Sequence, residues 1–318
     1  MAEPDRPARP LRLSNLVALA TAPAFAAAIA PHLPALHWIL DLPASFAVQA
    51  GAVLLLGMLA LLLARRWRLA ALWSLGLCSA LIAVVPGWLQ TPRLGDGGDR
   101  PVTLMTMNLA RDNEGNADRA SAEIRRVDPD LLFLSELTPA WLAALEPSLT
   151  AYPHRTVLAD PGWFGLGLFS RLPLAQAEVI PLSVDWAPAI RATITTAAGA
   201  LGVLGIHTPR PGGGRRCAER DAALAAVAAA IAPLPERRLV CGDFNSTPWN
   251  RAFPAMLAAT GLLHASHGHH PTWPQQWPWP LRVPIDHLLV SRGVGVERVE
   301  VGADFGSDHA PLIAELRL

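Results

Sequence analysis

The chain has 318 residues and a formal net charge of zero, with 26 basic residues, every one of them Arg, balanced by 26 acidic ones. It is long enough for one large domain or two smaller ones, and it lacks the strongly basic footprint by which proteins hold nucleic acid without regard to sequence. Three cysteines, Cys78, Cys217 and Cys241, form no CxxC pair and no even framework, so neither a zinc ribbon nor a disulfide scaffold is indicated.

Charge is unevenly spread. Before Leu94 there are seven Arg against Glu3, Asp5 and Asp41, leaving this part positive and the remainder mildly acidic. No charged residue falls between Asp41 and Arg65 or between Arg68 and Arg93, and both gaps are filled with nearly continuous apolar side chains. Each approaches the roughly 20 apolar residues that a helix needs to cross a bilayer. Transmembrane helices are therefore predicted over about 44–64 and 69–90, with a third, Ala-rich segment at about 13–31 that carries Pro23 and also resembles a signal peptide. Buried helices of a soluble core are the alternative for all three segments. Arg6, Arg9 and Arg12 precede the first segment, and Arg65, Arg66 and Arg68 separate the second from the third. By the positive-inside rule these arginines are cytoplasmic, which makes the protein a multi-pass component of the cytoplasmic membrane with everything after the third helix outside. Residues 1–93 are thus read as a membrane anchor, 94–101 as a linker and 102–318 as a soluble domain.

In the soluble part, short apolar runs alternate with helices and turn-rich loops. The runs "VTLMTMN", "LLFLSEL", "GLGLFSR", "IRATITTA", "LGVLGIH", "RLVCGDFN", "IDHLLVS", "GVERVEVG" and "APLIAEL" read as strands. Helices are predicted over "ADRASAEIRRVDPD" and from about Cys217 to Ile231. Polar residues recur where strands end: Asn108, Glu136, His207, Asp243 with Asn245, Asp286 with His287, and Asp308 with His309. Singly, each suits a turn. Together they describe one site, because several independent strands all ending in proton- or metal-handling groups is not what solvated turns produce. Glu136 in particular sits in an apolar strand, where a carboxylate needs a partner or a cation. Carboxylate and amide oxygens suit a hard cation such as magnesium. Imidazoles can move a proton or steady charge on a phosphoryl oxygen. The chemistry such a set supports is phosphoester hydrolysis.

The segments "MTMN", "DLLFLSEL", "GIHTPRP", "CGDFNSTPWN", "PIDHLLVS" and "GSDHAPL" resemble, in that order, the motif series of the endonuclease/exonuclease/phosphatase (DNase I-like) superfamily, over roughly residues 102–318. With the apolar N-terminal segments, the chain is similar to the family's bacterial membrane-anchored branch. The resemblance implies an α+β fold, a four-layer α/β/β/α sandwich, and a divalent-metal-dependent hydrolase using magnesium or, alternatively, manganese. It implies Glu136 as main metal ligand with Asn108 and Asp308 nearby. Asp286 would orient His309, Asp243 would position the nucleophile, Asn245 would bond a phosphate oxygen, and His207 would face the scissile phosphate from the other side. Asn113 and Asn116 stand where some members place a further ligand.

The expected substrate is a phospholipid headgroup or small phosphoester, with membrane lipid contacted by the N-terminal helices. The alternative is an extracytoplasmic nuclease, although a mildly acidic domain disfavours DNA. A rival of another class, a non-catalytic membrane scaffold, would be marked by lost ligands, and every main motif residue is present. The group His264, His267, His269 and His270 is expected to be an exposed polar loop, with transition-metal binding as the alternative. Trp273, Trp277 and Trp279 are expected to pack on the sheet rim, stack on substrate or touch the bilayer.

Overall fold

The computed structural model describes residues 13–32, 38–89, 101–184 and 186–318. The predicted linker lies, but for Pro101, outside the described residues, as do the N-terminal arginines.

Three helices are long and apolar enough to cross a membrane: α1 (Leu13–Ile29), α3 (Ala47–Leu63) and α4 (Trp67–Trp88), with a single turn, α2 (Trp38–Asp41), between the first two. Their seams are built from small residues. A Cβ added at Gly57 would come within 3.0 Å of Thr21, and one at Gly76 within 2.6 Å of Phe25, so both glycines let helices approach closely. Their outer faces leave Leu56, Leu59, Leu75 and Ile82 exposed. A continuous apolar exterior of this kind is what a lipid-facing helix presents and what a water-soluble bundle avoids.

Two six-stranded sheets stand face to face after these helices. One has the order β11-β12-β1-β2-β4-β3 and the other β5-β6-β7-β8-β10-β9. The strands of the first are β1 (Val102–Asn108), β2 (Leu131–Ser135), β3 (His154–Leu158), β4 (Leu166–Ser170), β11 (Gly295–Val301) and β12 (Leu312–Arg317). The second contains β5 (Leu174–Pro181), β6 (Pro188–Thr196), β7 (Gly199–His207), β8 (Arg238–Asp243), β9 (Leu263–His264) and β10 (Asp286–Val290). Strand alternation sorts the side chains into layers. Leu104, Leu131, Phe133, Val203, Cys241 and Leu288 fill the space between the sheets. Their neighbours Met105, Leu132 and Leu134 pack outward against α5 (Ala117–Val127) and α6 (Pro139–Leu149). Leu204, Ile206, Val240 and Leu289 pack against α7 (Gly214–Ile231) and α8 (Ala252–Thr260). The result is the four-layer α/β/β/α sandwich that the motif series implied.

The sheets approach closely at Gly205 and Gly242, where an added Cβ would lie 2.1 and 2.9 Å from the Phe133 ring. Each sheet has a parallel pair at its centre, β1 with β2 and β7 with β8. Parallel strands end on the same edge, and β10, antiparallel to β8, begins there. Register therefore sets Asp286 opposite Asp243, and His207 opposite Asp243 on the other flank. Elements absent from the sequence expectation include α6, α8, β3, β5 and β9. The first is started by Thr138, whose hydroxyl accepts from the Trp141 N–H, with Pro139 at its first position. Both α6 and α8 contain an internal proline, Pro147 and Pro254, which obscures a helical pattern.

Candidate active site

The polar strand ends converge between the sheets. Asn108, His207, Asp243 and Asp286 share strand parity with the inward-facing core residues Leu104, Val203, Cys241 and Leu288, so alternation alone aims them into the gap. Glu136 does not share it. By parity with Leu132 and Leu134 it would face the outer helices. Its φ of 56° is the left-handed conformation, costly for a side chain with a Cβ, and it breaks the alternation and turns the carboxylate inward. There Glu136 Oε1 accepts from Asn108 Nδ2 at 3.2 Å and Oε2 from the Arg111 backbone N–H at 3.0 Å. Asn245, just past β8, is also left-handed at φ 45°.

Asp243 is the hub. Its Oδ2 accepts from Asn108 Nδ2 at 3.1 Å and Asn245 Nδ2 at 3.2 Å, and it lies 3.5 Å from His207 Nε2 and 3.8 Å from His309 Nε2. Behind His309, Nδ1 sits 2.8 Å from Asp286 Oδ2, which also accepts from the Thr272 hydroxyl at 2.6 Å. His309 is further held by Ser307, whose hydroxyl accepts from the His309 N–H and donates to the Asn108 carbonyl. Asp308 points the other way. Its carboxylate accepts from Trp273 Nε1 at 3.1 Å, and its carbonyl from the Gln275 N–H at 2.7 Å. The two adjacent residues thus have separate partners.

Burial and charge act differently on the titratable groups. Burial would lower His309, but Asp286 and Asp243 outweigh it and hold the imidazole up at about 10, so it is an imidazolium at neutral pH. Burial lowers His207, with Glu136 opposing, and leaves it neutral. Burial raises Asp243 to about 8.

Some expectations change here. Asn108 was expected among the metal ligands through its oxygen. That oxygen accepts from the Ala110 N–H at 3.0 Å, which turns the amide nitrogen to the carboxylates; Asn108 draws Glu136 and Asp243 together as a donor. Asn113 and Asn116 bond each other at 2.6 Å, and neither is bonded to Glu136. The histidine loop is not exposed: His264 and His267 are buried, and only His269 is open to solvent. His264 Nε2 lies 3.0 Å from His287 Nδ1 and 2.8 Å from the Ser266 hydroxyl. Burial lowers His264 well below the usual range and His267 and His287 to about 4, so these rings form a neutral, packed core. Sequence reasoning missed Thr272, Ser307 and the Arg111 N–H. Thr272 stands in "PTWP" and Ser307 in "GSDH", so both lay within motifs already singled out, but a hydroxyl or a backbone N–H carries no signal of its partner.

Above His207, Phe164 lies 5.4 Å from the imidazole and 4.9 Å from Trp186. Arg111 and Arg210 cover Trp163 at 4.3 and 5.8 Å, and Arg216 covers Trp186 at 5.0 Å. The mouth is therefore aromatic and cationic within an acidic domain.

A family model, Endonuclease/Exonuclease/phosphatase family, matches residues 105–309. The chain belongs to that family. A search of curated proteins returned no match. Among solved structures, a humanized TDP2 from D. rerio is 17% identical, with a TM-score of 0.57, covering 69% of this chain and 99% of its own. The human Nocturnin catalytic domain with bound sulfate is 19% identical, TM-score 0.56, covering 70% and 97%. Sphingomyelinase C from Streptomyces griseocarneus is 16% identical, TM-score 0.53, covering 68% and 99%. At these identities the likeness is one of fold. Membership of the family supports a phosphoester hydrolase or nuclease using a divalent metal. The donor set fits such an ion: the Glu136 and Asp243 carboxylates are drawn to one Asn108 amide, and among the described residues no thiolate joins them to favour a softer metal.

Proposed function

We propose that this protein is a membrane-anchored, magnesium-dependent phosphoester hydrolase, a diesterase or phosphatase, and that its catalytic domain lies outside the cytoplasmic membrane. The observation that carries the reading is geometric: His309, bonded through Nδ1 to Asp286, faces His207 across Asp243. Hydrolysis at phosphorus needs a positive donor for the phosphoryl oxygens and a group that can take a proton from water. His309 serves as the first. Asp243 suits the second as its carboxylate, 3.5 Å from His207 Nε2 and 3.8 Å from His309 Nε2, with burial raising its affinity for a proton. Asn245 and His207 would hold the phosphate from opposite sides. Glu136 is the main ligand for the ion, braced by Asn108 and the Arg111 N–H, while Asp308, whose carboxylate is bonded to Trp273, is left out of the set. When bound, the ion supplies positive charge against the phosphoryl and departing oxygens. The Asp286–His309 pair occupies Asp286 Oδ2 and His309 Nδ1, which favours a proton-handling role for this pair over ligation.

Localisation rests on the three apolar helices and on their ends. The Arg65–Arg68 turn joins α3 to α4 at one end, and the catalytic domain follows α4 at the other. With the arginines cytoplasmic, the domain is outside. The test is magnesium-dependent release of p-nitrophenol from bis-p-nitrophenyl phosphate by the detergent-solubilised chain. Activity should be lost in Asp243→Ala and His309→Ala. Equal rates in wild type and variants would refute the reading and favour a scaffold.

A further inference from the structure

The loops that bear the catalytic groups are the same loops that rest on the membrane anchor. Gly214, seven residues after His207, packs on Trp38: a Cβ there would lie 2.8 Å from its ring. Asn250, five residues after Asn245, donates to the Asp41 carbonyl at 2.8 Å, and its Oδ1 accepts from the Ser45 hydroxyl at 3.1 Å. Arg220 is fully buried and paired with Asp41 at 2.8 Å. On the last of these loops, between β9 and β10, His269 stacks on Trp88 at the end of α4 with ring centroids 5.2 Å apart. Farther along it, the carbonyls of Pro280 and Arg282 accept from Gln49 in the first turn of α3 at 3.1 and 3.0 Å. All of these anchor residues lie at one end of the helices, so the edge of the sandwich that carries the site is the edge that meets the membrane.

That last loop is also open where it meets the anchor. Trp277, Trp279 and Leu281 are 46, 60 and 49% exposed, although they flank carbonyls held by a residue of a spanning helix. Three large apolar side chains held out at the mouth of a membrane span match the interfacial belt in which tryptophan is enriched. The same loop reaches the site through Trp273, which bonds Asp308 beside His309.

We propose that the active-site edge is held against the bilayer surface, with Trp277, Trp279 and Leu281 seated in its interface, and that the substrate is the headgroup phosphodiester of a phospholipid in the same membrane. The inference rests on the hydrolase reading above and adds the substrate class and the docking surface. Water adds its oxygen to phosphorus as one P–O ester bond breaks, and its proton goes to the departing alkoxide. The arginines stacked on Trp163 and Trp186 supply positive charge at the mouth for an anionic surface.

The test uses the full chain reconstituted in vesicles of equal parts phosphatidylglycerol and phosphatidylcholine, with lipid cleavage followed by phosphorus NMR and bis-p-nitrophenyl phosphate assayed in parallel. Trp277→Ser with Trp279→Ser should slow lipid cleavage about tenfold or more, with the soluble substrate turned over at the wild-type rate. Wild type that cleaves neither substrate overturns the hydrolase reading itself. Turnover of the soluble diester with no lipid cleavage, lipid cleavage unaffected by the double change, or faster cleavage of single-stranded DNA than of lipid overturns the lipid proposal alone. Should the serine variant lose both activities through misfolding, quenching of tryptophan fluorescence by lipids brominated near the headgroup decides. Wild type should be quenched more than Trp277→Phe with Trp279→Phe, and equal fractional quenching overturns the docking.

Discussion

Replacing Asp286 with Asn keeps the shape of the side chain and removes the charge that faces His309. In the wild-type protein His309 is raised from 6.5 to about 10 against the opposing effect of burial. At about 1.4 kcal/mol per unit, that shift corresponds to roughly 5 kcal/mol, shared by Asp286, Asp243 and Asp308. Asp286 makes the direct hydrogen bond and carries the largest part. Losing one member of a buried pair typically costs ~3–5 kcal/mol, so about 3 kcal/mol is expected here. For a domain of this size that lowers the melting temperature by about 6–12 °C. The sign with pH follows from a folded pKa above the unfolded one: the stabilisation is complete below 6.5 and is lost as pH rises through about 10. Thermal melts of the solubilised chain at pH 6.5, 8 and 10.5 should show the gap between wild type and variant closing across the series. The His309 ring proton should titrate near 10 in the wild type and well below it in the variant. A difference under about 2 °C that stays constant to pH 10.5 would refute the ion pair. Activity at neutral pH should fall by about 10²–10⁴-fold, the range for a positioned proton-handling group.

Three further outcomes are expected. Glu136→Gln should weaken Mn2+ binding, followed by electron paramagnetic resonance, by at least the ~10–100-fold seen when ligand support is lost; unchanged binding would remove Glu136 as the main ligand. Gly205→Ala places a Cβ 2.1 Å from the Phe133 ring between two sheets that cannot separate locally, and should cost at least ~1–3 kcal/mol by overpacking. Phe133→Leu in the same chain should recover part of the loss in a thermal melt. Arg220→Ala leaves the Asp41 carboxylate without its cation beneath α7, a change of about 3 kcal/mol or more. Hydrogen exchange should then rise at residues 247–251 and at the start of α7, where the turn before α3 meets the site loops.

The layered fold was legible because its signals are local and repeated. Alternation in β1, β2, β7, β8 and β10 marks two faces per strand, and the uncharged stretches flanking Arg65–Arg68 mark helices by length alone. The same alternation put Asn108, His207, Asp243 and Asp286 on inward faces, and the motif order named the site they form. Alternation misdirects Glu136, whose inward turn depends on a left-handed residue that no side-chain pattern announces. It also says nothing of which end of the Asn108 amide faces the carboxylates, since that depends on the Ala110 N–H across a turn.

Other features were decided only when distant segments met. The histidine loop is polar by composition, but Phe253 and His287 close over His264, and burial makes a neutral core of it. Asp41 and Arg220 are 179 positions apart, and nothing in either neighbourhood marks the other as its partner. The sequence by itself determined the apolar helices, most strands of the two sheets and which chemical groups would stand at strand ends, because those follow from periods of two and from hydrophobic length. Tertiary structure alone decided the protonation of His309 and His207, the orientation of Asn108 and the packing of the strand-end loops on the apolar helices. Those depend on burial and on charges brought together across the fold, and neither is a property of a residue and its neighbours in sequence.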